Sequence, residues 1–190
     1  NFHFNIFDVF SSLVFARAVA PLSKHKTFHD VLPSLLKTVD FSYDQLLEAV
    51  EFIGNEYEKF VEIFTVATQE NFGIDTHHTY FDCTNFYFEI DKESDFQKRG
   101  PSKENKTDPI VGLGLLLDSN MIPIGMKMYP GNESEKPVLR NTIHDLKNRN
   151  NIEGRTIQIA DKGLNCAKNI IEATDNCDGY IFSKSVKMLP

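Results

Sequence analysis

Asp82 interrupts an aromatic run from Tyr80 to Ile90, and Asp161 closes the short apolar run that begins at Thr156. An aspartate in such a place costs stability unless its charge meets a metal ion, a cation or several hydrogen-bond donors. The two lie 79 residues apart, so only sheet pairing could bring them together. Side by side, two carboxylates repel each other and bind a hard divalent cation such as Mg²⁺ or Mn²⁺ through oxygen. Two such ions, about 3.5–4 Å apart, would activate a water and stabilise a leaving oxygen in phosphodiester chemistry. Spacing alone favours an inert alternative, with Asp82 on a solvated sheet face and Asp161 capping the helix that follows. Two separated aspartates are a weak signal.

The elements that would position them divide near Gly73–His78. Before that point apolar residues recur at three and four spacing, in Tyr43, Leu46, Leu47, Val50, Phe52 and Ile53, then in Tyr57, Phe60, Val61, Phe64 and Val66. This pattern predicts two helices that part at Asn55. Pro21 and Pro33 break the earlier stretch into shorter helices. After Thr76 the period changes. Strands are expected at Tyr80–Ile90, Ile110–Leu117 and Ile122–Tyr129, the last two joined by the turn residues Asp118-Ser119-Asn120. Asn132, Glu135 and Pro137 suit the start of a helix running to about Arg149. A strand at Thr156–Ala160, a helix at Leu164–Ala173 and a strand at Tyr180–Ser183 complete the series. The order β-β-β-α-β-α-β makes a mixed sheet with helices on its faces, the order of the ribonuclease-H-like fold. In it the first strand is central and the fourth runs parallel beside it, which would place the two aspartates together. The chain thus reads as an α/β fold, a helical accessory region over 1–75 followed by a catalytic domain over 76–190.

Charge and composition exclude several classes. Net charge is −7, and residues 1–81 carry 5 basic and 11 acidic side chains against 15 and 16 in residues 82–190. A histone-like basic coat is excluded, but a nucleic-acid enzyme is not, because the placement of charge decides that. Cys83, Cys166 and Cys177 form no C-x-x-C pair and are odd in number, so a reducing compartment is expected. Asp8 and Arg17 interrupt the apolar stretch Phe2–Ala20, which argues for a buried helix and against a membrane partner. His77-His78 and the His25/His29 pair have no Cys or acid to complete a zinc set.

The wording around the aspartates adds more. Tyr80-Phe81-Asp82-Cys83-Thr84-Asn85-Phe86-Tyr87-Phe88-Glu89 resembles the first catalytic-strand motif of bacterial insertion-sequence transposases of the DDE type. Lys98-Arg99-Gly100-Pro101-Ser102-Lys103, Asp108-Pro109-Ile110-Val111-Gly112-Leu113-Gly114, Tyr129-Pro130-Gly131-Asn132-Glu133-Ser134-Glu135 and Ile159-Ala160-Asp161-Lys162-Gly163-Leu164 follow in the order of the group with a Tyr-Arg-Glu-Lys signature. The match covers roughly residues 78–184. It implies a DNA transposase that cuts transposon ends and joins them to target DNA, with Asp82 and Asp161 holding two Mg²⁺ (or Mn²⁺) ions. It also implies a homodimer in the synaptic complex and a bacterial cytoplasmic, nucleoid-associated location. The third acid of that family lies on a helix beyond the strand ending near Ser185, and Glu172, on the helix between the last two strands, is not in its place. The chain begins at Asn1 and stops at Pro190, so it reads as a fragment, inactive by itself.

Lys98, Arg99, Lys103 and Lys106 form a basic loop beside the first strand, and Lys162 adjoins Asp161. Each is a candidate phosphate contact or an ordinary surface charge. Gly131-Asn132 reads as a turn and cap before it reads as a phosphate nest. Phe81, Phe86, Tyr87 and Phe88 are expected in the core. A non-catalytic remnant that folds and binds DNA or a full-length partner is the alternative. A phosphatase with Asp82 as nucleophile ranks below both, since Thr84 stands where that chemistry expects a second aspartate.

Overall fold

The computed structural model describes residues 2–35, 38–101, 107–150 and 155–184. They fall into two compact units, Asn1–Phe60 and Val61–Pro190. The first contains α1 (Ile6–Val19), α2 (Lys24–Lys26), a π-helical turn (Thr27–Val31), α3 (Leu32–Leu35), α4 (Tyr43–Asn55) and the start of α5 (Tyr57–Phe72). Three helices open on side-chain caps, α2 on Ser23, whose Oγ accepts from Lys26 N–H at 3.3 Å. Asn5 Oδ1 accepts from Phe7 N–H at 3.0 Å, and Ser42 and Gln45 cap each other reciprocally at 3.2 and 2.8 Å; caps of this kind contribute about 1 kcal/mol. Val9, Ala16, Leu32, Phe41, Leu46 and Ala49 form the core. The expected break at Pro33 does not occur. Pro33 sits inside α3, directly after a wide turn in which Leu32 N–H donates to Thr27 O five residues back, so its missing N–H falls where the ladder is already displaced. Among the described residues no single helix is long and apolar enough to cross a membrane.

From Val61 onward α5 belongs to the second unit. Thr65 is buried and donates to Val61 O at 2.8 Å and to Ile124 O at 3.2 Å, while Ile63, Phe64 and Val66 stay exposed. The helical period therefore runs on past the point where the compact units part, and the change of period comes only between Phe72 and His78.

The second unit is built on a five-stranded sheet in the order β3-β2-β1-β4-β5. Its strands are β1 (His78–Tyr87), β2 (Ile110–Leu117), β3 (Pro123–Pro130), β4 (Ile157–Ala160) and β5 (Gly179–Phe182), with α6 (Glu135–Asn150) and α7 (Ala167–Asp175) as crossovers. The first three strands pair antiparallel, and β4 and β5 add parallel to β1. This is the ribonuclease-H-like mixed sheet that the element order predicts, preceded by the helical region. Residues alternate faces along β1. Phe81 and Cys83 point into a core shared with Leu116, Tyr129, Val138, Leu139 and Ile143, which α6 covers. Phe86, expected in that core, is exposed because it falls on the opposite parity, with Asp82 and Thr84.

Two buried aspartates hold the connections. Asp118 closes the β2–β3 turn, its Oδ1 accepting from Asn120 N–H and Ile122 N–H at 2.9 Å each, with Met121 in the left-handed region at φ 63°. Asp178 lies before β5 with a fully buried side chain. Both its oxygens accept from Lys147 Nζ at 2.7 Å, and it also accepts from Thr156 N–H at 3.1 Å and Gln158 Nε2 at 3.0 Å. The four-residue β4, the strand leading to Asp161, is thereby tied at its start to α6 and β5.

Candidate active site

β1 and β4 pair in parallel register from His78 with Ile157 to Phe81 with Ala160. Asp82, within β1, and Asp161, just past the end of β4, are the next residues along. The sheet topology thus brings together the two acids that the sequence separates by 79 positions. Strands in a sheet run about 4.8 Å apart, so the two backbones are neighbours at this step. Both aspartates are exposed. They line one cleft of about 400 Å³, floored by Tyr80, Leu115, Leu117 and Ile159. Register puts Tyr80, Leu117 and Ile159 on one face, and Asp82 opposite Leu115 on that same face. The cleft lies over the middle of β1 and the carboxyl end of β4.

Each carboxylate is oriented by a backbone donor. Cys83 N–H donates to Asp82 Oδ1 at 2.8 Å, and Gly163 N–H donates to Asp161 Oδ1 at 2.9 Å. The second bond closes a turn over Asp161–Gly163 and leaves α7 uncapped by Asp161. That helix begins later, at Ala167, with Cys166 in the cap position and no side-chain bond to its first turn.

The basic residues are placed less decisively. Lys98 pairs through its backbone with Ile110, at 3.1 and 2.9 Å, and its Nζ lies 3.9 Å from Glu93. Arg99 Nη1 is 3.7 Å from the same carboxylate, and Arg99 N–H donates to it at 2.8 Å. Glu93 therefore offsets part of the positive charge of this loop. Gly100 packs so closely on the turn before α6 that a Cβ would stand 1.9 Å from Gly131 O. Lys162 is exposed beside Asp161. Lys103 and Lys106 lie outside the described residues. Glu172 is engaged elsewhere, 3.5 Å from Arg140 Nε, and Arg140 also binds Asn169.

One acid near the pair was read from sequence only as part of a helix start. Glu135 opens α6, and a Cβ at Gly163 would stand 3.2 Å from Asp161 Oδ1 and 3.6 Å from Glu135 Oε2. The glycine directly after Asp161-Lys162 was the available signal, since a side chain there would fill the gap between two carboxylates. Close by, burial pushes the Tyr129 phenol far above its ordinary range, and Cys83, Glu135 and Asp82 act in the same direction.

The donor set fits a hard cation in part. Mg²⁺ is commonly held by one or two carboxylates with waters and substrate phosphates, and Asp82 with Asp161 supplies such a pair. Among the described residues no group of three or more His, Cys, Asp or Glu side chains is arranged to hold a metal ion. His25 and His29 stack at 4.3 Å, and His77 Nδ1 contacts Asp75 at 2.7 Å, whose carboxyl is held below its ordinary 3.8 chiefly by the His77 backbone N–H.

No protein-family model and no curated protein matches the chain. Solved structures do. A piggyBac transposase synaptic complex with hairpin DNA is 14% identical, with 97% of this chain covered, 43% of that chain covered and a TM-score of 0.50. The likeness is one of fold. A Mos1 mariner paired-end complex with Mn is 9% identical over 95% of this chain and 59% of that one, at a TM-score of 0.39. The chain spans less than half the length of the piggyBac transposase chain that it matches.

Proposed function

We propose that the chain is part of a DNA transposase, with Asp82 and Asp161 as two of its catalytic acids. The observation that carries this reading is their juxtaposition, one step past the last β1–β4 pair, on a single cleft. The fold shared with a piggyBac transposase supports it, as does the motif resemblance over 78–184. The finer reading is an enzyme of the insertion-sequence group acting on transposon ends and target DNA. It works as a synaptic homodimer in the bacterial cytoplasm, with its helical accessory region over 1–75 and its catalytic domain over 76–190.

Within this reading Asp82, midway along β1, and Asp161, just past the end of β4, concentrate negative charge at one place, and Cys83 N–H and Gly163 N–H fix their orientation. Two Mg²⁺ or Mn²⁺ ions, when bound there, supply Lewis acidity for a nucleophilic water or 3′-hydroxyl and for the departing 3′ oxygen. Lys162 is placed to meet a phosphate approaching Asp161. Lys98 and Arg99, with Lys103 and Lys106, contribute sequence-independent contacts to the DNA backbone.

The test is thermal unfolding with and without Mg²⁺ or Mn²⁺. A ligand that binds only the folded chain stabilises it by about 2.7 kcal/mol at 100 times its Kd, roughly 5–10 °C for a chain of this size. Asp82→Asn with Asp161→Asn should abolish the rise. An unchanged rise in the double variant would place the cation elsewhere and remove the reading. The alternative, a chain that binds DNA without cutting it, keeps salt-sensitive DNA binding but shows no cation response.

A further inference from the structure

Between α6 and α7, over Gln158 of β4, lies a cavity of about 220 Å³. It is on the other side of the sheet from Asp82. Gln158 and Ala160 alternate with Ile157 and Ile159 along β4, and Ile159 lines the Asp82 cleft. Helices that cover a sheet bury an apolar stripe, yet this gap is lined by amides, charges and an imidazole, with Ile143 and Ala173 as its apolar residues.

Two groups in the lining lack a partner. Gln158 is 6% exposed, and its Nε2 donates to Asp178 Oδ2 at 3.0 Å. An ionised carboxylate only accepts, so this bond fixes which way round the amide lies and turns Oε1 away from Asp178. Among the described residues Oε1 accepts no hydrogen bond. Nor is it sealed in, so it opens on the cavity that Gln158 lines. Arg140 commits Nε to Glu172, and Nη1 to Asn169 Oδ1 and Lys136 O. Its Nη2 donates to nothing among the described residues. Charge, by contrast, is balanced. Arg140 stands 3.5 Å from Glu172, and Lys147 holds Asp178 at 2.7 Å, so an anion gains little here. What the cavity lacks is one donor and one acceptor.

We propose that this cavity binds a purine or pyrimidine base, with Gln158 Oε1 accepting from the base edge and Arg140 Nη2 donating to it. Its apolar lining comes from both helices, Ile143 from α6 and Ala173 from α7, and suits a flat ring held between them. Asn148 and Asn176 are exposed and line it too, adding amides of the kind that pair with base edges. Sites for drug-sized ligands run to about 300–1,000 Å³, so the smaller volume here suits a single heterocycle. Two sources present that chemistry, a free nucleoside and a base of a single strand. The proposal stands apart from the cation reading of Asp82 and Asp161, which belong to the opposite face.

Adenosine, guanosine, cytidine and thymidine are the probes, titrated singly into the isotope-labelled full chain and followed by NMR. At least one should move the side-chain amide resonances of Gln158 and saturate with a Kd of about 0.1–1 mM, the affinity that ordinary contacts give a ligand of this size. Gln158→Met keeps the length of the side chain and removes both amide atoms. It should weaken that binding about tenfold, the loss of one bond to a buried group, and affinity equal to the parent's overturns the proposal. A Gln158 amide unmoved by all four nucleosides means a cavity filled by water alone and overturns it too. Because this readout uses the parent chain, it decides even if Gln158→Met fails to fold. Inorganic phosphate producing the same shifts would make the cavity an anion site, which also overturns the proposal. A single-stranded oligonucleotide of mixed sequence separates the sources. Displacement of the bound nucleoside assigns the site to a base of a strand, and no displacement assigns it to the free nucleoside.

Discussion

Removing Asp178 tests whether the anchorage of β4 holds the site together. Its side chain has no solvent exposure, whereas that of Lys147 keeps 22%. Asp178→Ala leaves three donors without their acceptor: Lys147 Nζ, Thr156 N–H and Gln158 Nε2. Breaking a buried ion pair from one side costs about 3–5 kcal/mol, and each stranded buried donor costs about 1–3 kcal/mol. These contributions overlap, and Lys147 can turn partly to solvent, so the expected loss is about 4 kcal/mol. Lys147→Met should cost at least as much, because the carboxylate left behind has no route to water. The double variant Asp178→Ala with Lys147→Met should then be less costly than the two singles combined. Urea unfolding followed by circular dichroism reads all three from the midpoint and slope. A loss under about 1 kcal/mol in Asp178→Ala, or strict additivity in the double variant, would refute the reasoning.

Three further outcomes follow from the same geometry. Gly112→Ala places a Cβ 2.1 Å from the Tyr129 ring, and overpacking of this kind should cost about 1–3 kcal/mol in urea unfolding. Asp75 should titrate below 3.8 by NMR, and its folded-state contribution is then present at neutral pH and lost as pH falls through that lowered value. His77→Ala should return the pKa only in part, because the largest cause is the backbone N–H of residue 77. Neutralising Lys98 and Arg99 should flatten the dependence of duplex-DNA affinity on salt by somewhat less than two phosphate contacts, since Glu93 already offsets them. A slope unchanged from the parent would remove the loop from DNA binding.

The strand order was legible because the period of apolar residues changes from helical to alternating within a few residues of Gly73. The juxtaposition of Asp82 and Asp161 followed from that order alone, since a parallel fourth strand beside a central first one leaves them nowhere else to meet. What escaped the sequence were features whose local pattern already had an adequate explanation. Glu135, three residues after Asn132, looked like half of a capping box, and its approach to Gly163 depends on a crossover that no local pattern encodes. Thr65 and Thr68 occupy polar positions of α5 yet are buried, while Ile63, Phe64 and Val66 are exposed. Pro33 reads as a breaker, and only the displaced ladder before it shows how the helix accommodates it.

The glycines of β2 have a consequence for alignment. The ring of Tyr129 lies over Gly112, and the ring of Phe81 lies over Gly114, each within 2.5 Å of where a Cβ would stand. β2 therefore presents two recesses, and a ring from each neighbouring strand seats in one of them. Sliding either neighbour by a single residue would set its ring against a leucine or Val111 and turn its buried face outward. The pair works as a two-notch key that fixes how far β1 reaches along the sheet, and so how far Asp82 stands from the end of β4.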